Sequence, residues 1–187
     1  YYWGTAGSNN TPYQGFASNI LSLNNWQLIT IVRDITNNKL TWYINSKQTN
    51  QTTPSYSQAT ASTSNITIGS GYAGSFIGYI DEVKIYPYAR TADQIKQDYN
   101  SRGSASGSQA NLGVQSNTAP NLKSKLIAHY KFDEGSGTTV YNSGIGGTAL
   151  NGTFGTGSSA PTWTNDGKFN KALSFDGSND YIQMNSF

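Results

Sequence analysis

Apolar residues occur in short dense runs separated by polar, glycine-rich stretches, a pattern that predicts a chain built from β-strands. The densest run spans residues 76–86, where aromatic and β-branched side chains predict a central strand. Gly78 interrupts it where a bulge or a close backbone approach is expected. Asp81 and Glu82 lie in its middle. Because a carboxylate is rarely buried alone, we expect Asp81 to meet a cation, a cluster of donors or the sheet edge.

Other runs predict further strands along the chain. A strand at residues 126–133 would turn Tyr130 and Phe132 toward the core. Residues 101–124 are rich in Ser, Gly, Ala, Asn and Gln and are typical of a linker. The remaining strands are predicted at residues 26–34, 40–45, 65–69, 172–176 and 181–184, and polar loops at residues 8–19, 46–63 and 134–152.

One short helix is predicted at residues 91–99. Thr91 is placed as its N-cap, with Gln94 three residues on, as in a capping box. Ile95 and Tyr99 share one helical face, which we expect to dock on a sheet.

Composition narrows the classes of function. The 187 residues suit one all-β domain or parts of two, and the absence of cysteine excludes disulfides and thiol chemistry. A net charge of +2 with scattered basic residues excludes a nucleic-acid patch, and no apolar run is long enough to span a membrane. Few charged residues, with much Asn, Thr, Ser, Gly and Tyr, indicate an extracellular or cell-surface β-protein. The chain starts without Met or a signal peptide, so we expect a mature piece, a fragment or a repeat unit.

Two sets of motifs resemble the two ends of a LamG-like jelly-roll domain of the concanavalin A-like lectin/glucanase type. Such a domain opens with a strand like residues 130–137, YKFDEGSG, followed by a motif like residues 167–181, GKFNKALSFDGSNDY. It closes with a Trp-led strand like 26–34, a strand pair that includes 76–86, and a short helix like 91–99. The resemblance implies an all-β, two-sheet antiparallel jelly-roll sandwich with one short helix.

The order of these motifs is reversed relative to the family. Residues 1–100 resemble the C-terminal half of a domain and residues 125–187 the N-terminal half, with the linker 101–124 between them. The chain is then one period of a tandem array, a circular permutant that closes on itself, or a subunit that exchanges strands with copies of itself. Since the family's first and last strands lie side by side, we expect residues 126–133 to pair with 76–86, within or between chains.

The resemblance also implies a structural calcium ion, because related domains hold one near these positions. The candidate ligands are Asp81, Asp133, Glu134 and Asn142, which offer the oxygen atoms that calcium prefers. The family often has Asp where Asn142 stands, which weakens the site. The alternative is that such carboxylates cap turns, and Asp176 and Asp180 around Gly177 favour this interpretation.

Catalysis is not expected. A glycosidase needs two carboxylates at a defined separation, and the Glu-x-Asp-x-x-Glu strand of jelly-roll glucanases is missing. His129, the only histidine, alternates outward on its strand without a recognisable Ser or Asp partner, so a surface or packing role is favoured.

Aromatic side chains are the other candidate binding groups. The loop residues Tyr13, Tyr56 and Tyr72 offer flat faces on which a sugar could stack, whereas Trp26, Trp42 and Phe175 are expected between the sheets.

The sequence therefore predicts a non-catalytic extracellular recognition or adhesion module that binds carbohydrate or a surface protein. It would be a repeat or a strand-exchanged subunit of a cell-surface protein or fibre. The alternatives are a carbohydrate-binding module appended to a secreted glycoside hydrolase, and a scaffold without a ligand.

Overall fold

A computed structural model describes residues 21–54, 65–71, 74–101 and 126–185. These residues form antiparallel strands, one α-helix and two short 3-10 helices, so the all-β class is confirmed. Tyr13, Tyr56, Tyr72 and nearly all of the predicted linker lie outside the described residues. The strands are β1 (Ile29–Asp34), β2 (Lys39–Ile44), β3 (Lys47–Thr52), β4 (Ile66–Ile68), β5 (Ser70–Gly71), β6 (Gly74–Ser75), β7 (Ile77–Ile80), β8 (Val83–Ile85), β9 (Ala128–Tyr130), β10 (Thr139–Val140), β11 (Gly152–Phe154), β12 (Thr162–Thr164), β13 (Ala172–Asp176) and β14 (Ile182–Met184). The helix, α1, spans Ala92–Ser101, and the 3-10 helices span Gly147–Leu150 and Gly157–Ser159.

The chain forms two compact units. The first comprises Tyr1–Thr60 and Tyr88–Ala119 and contains the meander β1-β2-β3 with helix α1. Its small apolar cluster joins Val32 and Tyr43 of the sheet to Ile95 of the helix. Ile95 is only 2% exposed whereas Tyr99 is 40% exposed, so only the first of the two predicted docking residues is buried.

The sequence predicts a polar loop at residues 46–63. This prediction is wrong for Lys47–Thr52, which form strand β3. Asn45 and Ser46 both adopt positive φ, at 48° and 67°. Two consecutive residues in this conformation make the tight turn that matches the twist of a hairpin, which returns the polar segment to pair with β2.

The helix begins as predicted, with a capping box. The Gln94 amide N–H donates to Thr91 Oγ1 at 3.3 Å, and the Thr91 amide N–H donates to Gln94 Oε1 at 3.1 Å. The two side chains thus satisfy donors that the first helical turn leaves without an intrahelical acceptor.

The second unit comprises Ala61–Pro87 and Pro120–Phe187. Its strands form a four-stranded sheet in the order β10-β11-β14-β4, a three-stranded sheet in the order β12-β13-β7, and the pairs β8-β9 and β5-β6. One hydrophobic core receives side chains from both larger sheets and from β9. Its buried members are Ala128, Tyr130, Phe132, Val140, Leu150, Phe154, Leu173, Phe175, Ile182 and Met184. The inward orientation predicted for Tyr130 and Phe132 is confirmed.

The apolar run at 76–86 forms two strands rather than one central strand. Glu82 adopts φ 55°, and this left-handed residue ends the ladder between β7 and β8. Strand β7 then pairs with β13 at the edge of its sheet, which leaves Ile77 76% exposed, while β8 pairs with β9. The loop predicted at 134–152 likewise contains β10 and a 3-10 helix.

The segment before residue 87 joins the segment after 126 at three places in one chain. Val83 lies opposite Tyr130, Ser174 opposite Tyr79, and Ile182 opposite Ile68. The expected pairing of the 126–133 region with the 76–86 region is therefore present within a single chain, while the assignment of the two segments as permuted halves stays a prediction.

Candidate functional site

Two of the predicted ligand residues hold the same loop, residues 169–171, which leads into β13. Asp81 Oδ2 accepts a hydrogen bond from the Phe169 amide N–H at 2.9 Å. Asp133 Oδ1 accepts from the Lys171 amide N–H, and its Oδ2 from Asn170 Nδ2, each at 3.3 Å. Both carboxylates therefore meet donors of the chain, which is one of the outcomes expected for Asp81.

The electrostatics at Asp81 are unfavourable for its charge. Burial, with a smaller contribution from the nearby charges of Glu82 and Asp133, raises the pKa of Asp81 to about 6, although the hydrogen bond from Phe169 opposes the rise. Its Oδ1 is buried and has no hydrogen-bond partner among the described residues. Burial therefore disfavours the charged form of Asp81 in the folded protein.

Glu134 is one of five residues that line a surface depression of about 330 Å³. The lining residues are Lys131, Asp133, Glu134, Tyr141 and Ser143. Glu134 Oε1 accepts from the Tyr141 amide N–H at 2.8 Å, which ties the chain after β9 to the chain after β10. Its Oε2 is buried without a partner among the described residues. Sequence reasoning found Asp133 and Glu134 but missed Lys131, Tyr141 and Ser143, because only the turn between the two strands brings them together.

The Asn142 side chain joins several backbone segments through hydrogen bonds, and we call this arrangement the Asn142 clip. Its Oδ1 accepts from the amide N–H groups of His129 (2.9 Å) and Gly144 (2.8 Å), and its Nδ2 donates to the carbonyls of Ile127 (3.2 Å) and Gly147 (3.1 Å). Both lone pairs of Oδ1 and both N–H groups of Nδ2 are thus used. Asn142 does not offer a free oxygen to a cation in this arrangement.

The four predicted calcium ligands differ in whether they leave an oxygen free for a cation. The two orphaned oxygens, Asp81 Oδ1 and Glu134 Oε2, are atoms that a cation would satisfy. However, no three acidic or histidine side chains of the described residues come together as a metal-binding group, and Asn142 is occupied. The four predicted residues therefore do not fit a calcium centre as a set, and calcium binding stays a prediction of the resemblance.

His129 has a partner that sequence reasoning missed. Its Nε2 lies 2.8 Å from Glu82 Oε2, and Lys84 Nζ lies 3.4 Å from the same oxygen. The register explains the group, because Lys84 of β8 stands opposite His129 of β9, and Glu82 lies two residues before Lys84. A carboxylate that contacts both the lysine and the histidine forms a structural polar cluster, in keeping with the packing role expected for His129.

The turn carboxylates behave as the structural alternative predicts. Asp176 Oδ1 accepts from the Ser178 amide N–H at 2.7 Å, and Asp180 Oδ2 from the Asp176 amide N–H at 2.8 Å. Of the aromatic residues expected in a core, Trp42 and Phe175 are buried, whereas Trp26 is 36% exposed and does not fit that expectation.

Comparison with known proteins gives one family. The family model Laminin_G_3, described as the concanavalin A-like lectin/glucanases superfamily, matches residues 1–96, about half of the chain. No curated protein and no solved structure matches the sequence. Within the described residues, the one α-helix is too short and too polar to cross a membrane.

Proposed function

Because the chain belongs to the concanavalin A-like lectin/glucanases superfamily, we propose that it is a non-catalytic extracellular recognition or adhesion module that binds carbohydrate or a surface protein. The family match, together with the antiparallel all-β architecture, is the observation that carries this proposal. It agrees with the jelly-roll resemblance of the sequence. The composition, poor in charge and rich in small polar residues, supports an extracellular location.

The use of the carboxylates supports recognition rather than hydrolysis. Asp81 and Asp133 accept hydrogen bonds from the loop before β13, and Glu134 accepts one from Tyr141. A glycosidase needs one carboxyl group as acid and a second as nucleophile or base, both free to reach the glycosidic bond. Carboxylates that hold the backbone serve that chemistry poorly.

Binding and turnover can be measured on the same saccharides. We expect the purified chain to bind members of a glycan array and to release no reducing sugar from soluble β-glucan or xylan over a day. Reducing sugar that rises in proportion to protein concentration would contradict the non-catalytic part of the proposal. Absence of binding to every saccharide would contradict carbohydrate as the ligand.

The rival is a carbohydrate-binding module that serves a secreted glycoside hydrolase, which the glucanases in the family description favour. Such a module targets insoluble polysaccharide. Sedimentation with cellulose, xylan and chitin distinguishes the two: strong co-sedimentation favours the rival, and selective binding to short surface glycans favours a recognition module.

A finer part of the proposal is strand exchange between copies. The strands of residues 66–85 pair with β9, β13 and β14, so another copy could supply the same partners without loss of any ladder. Because the chain lacks cysteine, the double variant Thr67→Cys, Gln183→Cys places two thiols at opposed positions of β4 and β14. We expect covalent dimers on a non-reducing gel. Only monomers, cross-linked within one chain, would rule out exchange.

A further inference from the structure

The depression after β9 and β10 combines an exposed aromatic ring with charged and hydroxyl side chains. Its lining residues are Lys131, Asp133, Glu134, Tyr141 and Ser143, around a volume of about 330 Å³. Small-molecule sites range from roughly 300 to 1,000 Å³, so the depression suits one ring-sized group. Tyr141 is 60% exposed, which makes it one of the more exposed large side chains of the second unit.

Backbone hydrogen bonds fix the framework of the depression. Glu134 Oε1 accepts from the Tyr141 amide N–H at 2.8 Å, and the Ser143 amide N–H and hydroxyl both donate to the His129 carbonyl at 3.0 Å. The Ser143 oxygen keeps lone pairs with which it can accept a further hydrogen bond. The binding groups therefore stand on strand ends that are held in place before any ligand arrives.

The charges of the depression point to a neutral ligand. Lys131 is balanced by Asp133 and Glu134, and the Lys171 side chain packs against Gly135, where an added Cβ would overlap it. Two ammonium and two carboxylate groups lie in this region, so neither a strong anion nor a strong cation is selected by net charge. The Glu134 oxygens are not open to a ligand, because Oε1 accepts from the Tyr141 amide N–H and Oε2 is buried.

We propose that this depression binds a single neutral pyranose residue of a glycan. A sugar ring has an apolar C–H face that packs on a tyrosine ring, and a rim of hydroxyl groups that both donate and accept. Tyr141 supplies the stacking surface, the Ser143 hydroxyl oxygen the acceptor and Lys131 the donor. The inference rests on the proposed carbohydrate recognition and names its site.

The test is titration calorimetry of the 187-residue chain with methyl glycosides of glucose, galactose and mannose, and with methyl glucuronide as the acidic counterpart. We expect one neutral glycoside to bind, Tyr141→Ala to weaken it about tenfold, and Tyr141→Phe to retain binding because the ring remains. Ser143→Ala, which removes the hydroxyl acceptor and leaves the backbone bond from the Ser143 amide N–H to the His129 carbonyl, should weaken binding several-fold.

Tyr79→Ala is the matched control, since Tyr79 is an exposed tyrosine on strand β7 of the same unit. It should leave the affinity unchanged, and each variant should keep the thermal midpoint of the parent. A glycoside that binds the parent and Tyr141→Ala equally would overturn the site while leaving carbohydrate recognition in place. No binding of any glycoside, or preference for the glucuronide, would overturn the neutral-sugar assignment, and an empty glycan array would overturn the broader function with it.

Discussion

The two units differ in the range along the chain of the contacts that stabilise each one internally. In the first unit β1, β2 and β3 pair in chain order, and the helix closes its own first turn with Thr91 and Gln94. In the second unit β4 pairs with β14, so that Thr67 stands opposite Gln183. Local pairing needs little loop closure, whereas distant pairing has a larger entropic cost that only a shared core can offset. We therefore expect the costliest substitutions in the second unit.

The core residue Phe175 gives the largest expected effect. It is 2% exposed, contacts Phe76 edge to face at 6.3 Å between ring centroids, and lies close to Gly69. Phe175→Ala removes packing among strands that are distant in sequence, and we expect it to lower the free energy of unfolding by about 3–5 kcal/mol. Urea denaturation followed by tryptophan fluorescence measures the change.

The matched control is Ile77→Ala on β7, because Ile77 stands opposite Asp176, the residue after Phe175, yet points to solvent. It should change the free energy of unfolding by less than about 0.5 kcal/mol. Equal losses for the two variants would mean that the interleaved core is not the main source of stability in the second unit.

Asn142 tests the non-local hydrogen bonds rather than the core. Asn142→Ala leaves two amide N–H groups and two carbonyls without their partner, and we expect a loss of about 2–3 kcal/mol in chemical denaturation. Asn142→Asp keeps the acceptor but faces the carbonyls of Ile127 and Gly147 with an anion, so it should lose a similar amount at pH 7.

The Asn142→Asp variant distinguishes the structural role of residue 142 from a role as a metal ligand. Two outcomes would contradict the structural role: an unchanged free energy of unfolding for Asn142→Asp, or a variant more stable than the parent only when calcium is added. Either would mean that residue 142 acts mainly as a ligand position. Ser143→Ala, which removes one exposed side-chain hydrogen bond, should cost less than about 0.5 kcal/mol and serves as the control.

The same contrast separates what the sequence could predict from what it could not. The helix cap at Thr91 and the strand at Ala172–Asp176 follow from neighbouring residues, and both were predicted. The break at Glu82 and the clip at Asn142 depend on partners far along the chain, so periodicity does not show them. The β8–β9 pairing is equally distant, and it was predicted only because the motifs resemble a family in which such strands are neighbours.

The candidate site could be predicted from the sequence only in part, for the same reason. Asp133 and Glu134 stand out as acidic residues after a strand, but Tyr141 joins them only through the hydrogen bond to Glu134. A lone exposed tyrosine in a polar segment carries no signal by itself. The approach of two strand ends, rather than any motif, forms the depression.

Asp81 gives a smaller effect with a definite pH dependence. The folded state holds its proton up to a pKa of about 6, above the usual 3.8, so between these values the folded state binds more protons than the unfolded state. The parent therefore loses stability as pH rises from about 4 to about 6. Asp81→Asn removes this loss. After allowance for partial exposure, we expect the variant to be about 1–2 kcal/mol more stable than the parent at pH 7 and equal to it at pH 4.

Asp34 in the first unit is the control of opposite sign. Hydrogen bonds from Asn37 lower the pKa of Asp34, so its charge favours the folded state, and Asp34→Asn should lose stability above pH 4 rather than gain it. Thermal melts of both variants from pH 4 to 7 give the two slopes. A destabilised Asp81→Asn at pH 7 would show that the carboxylate is needed as an anion, as a bound cation would require.

The smallest effect is expected for the N-cap of helix α1 in the first unit. Thr91→Ala removes the side-chain oxygen that caps the Gln94 amide N–H, and we expect a loss of about 1 kcal/mol in the free energy of unfolding. Thr91→Ser keeps the hydroxyl and should restore the parent value, which distinguishes the cap from packing of the threonine methyl group. Circular dichroism at 222 nm during urea denaturation measures both. A loss as large as that of Phe175→Ala would mean that local contacts govern the first unit as strongly as distant contacts govern the second.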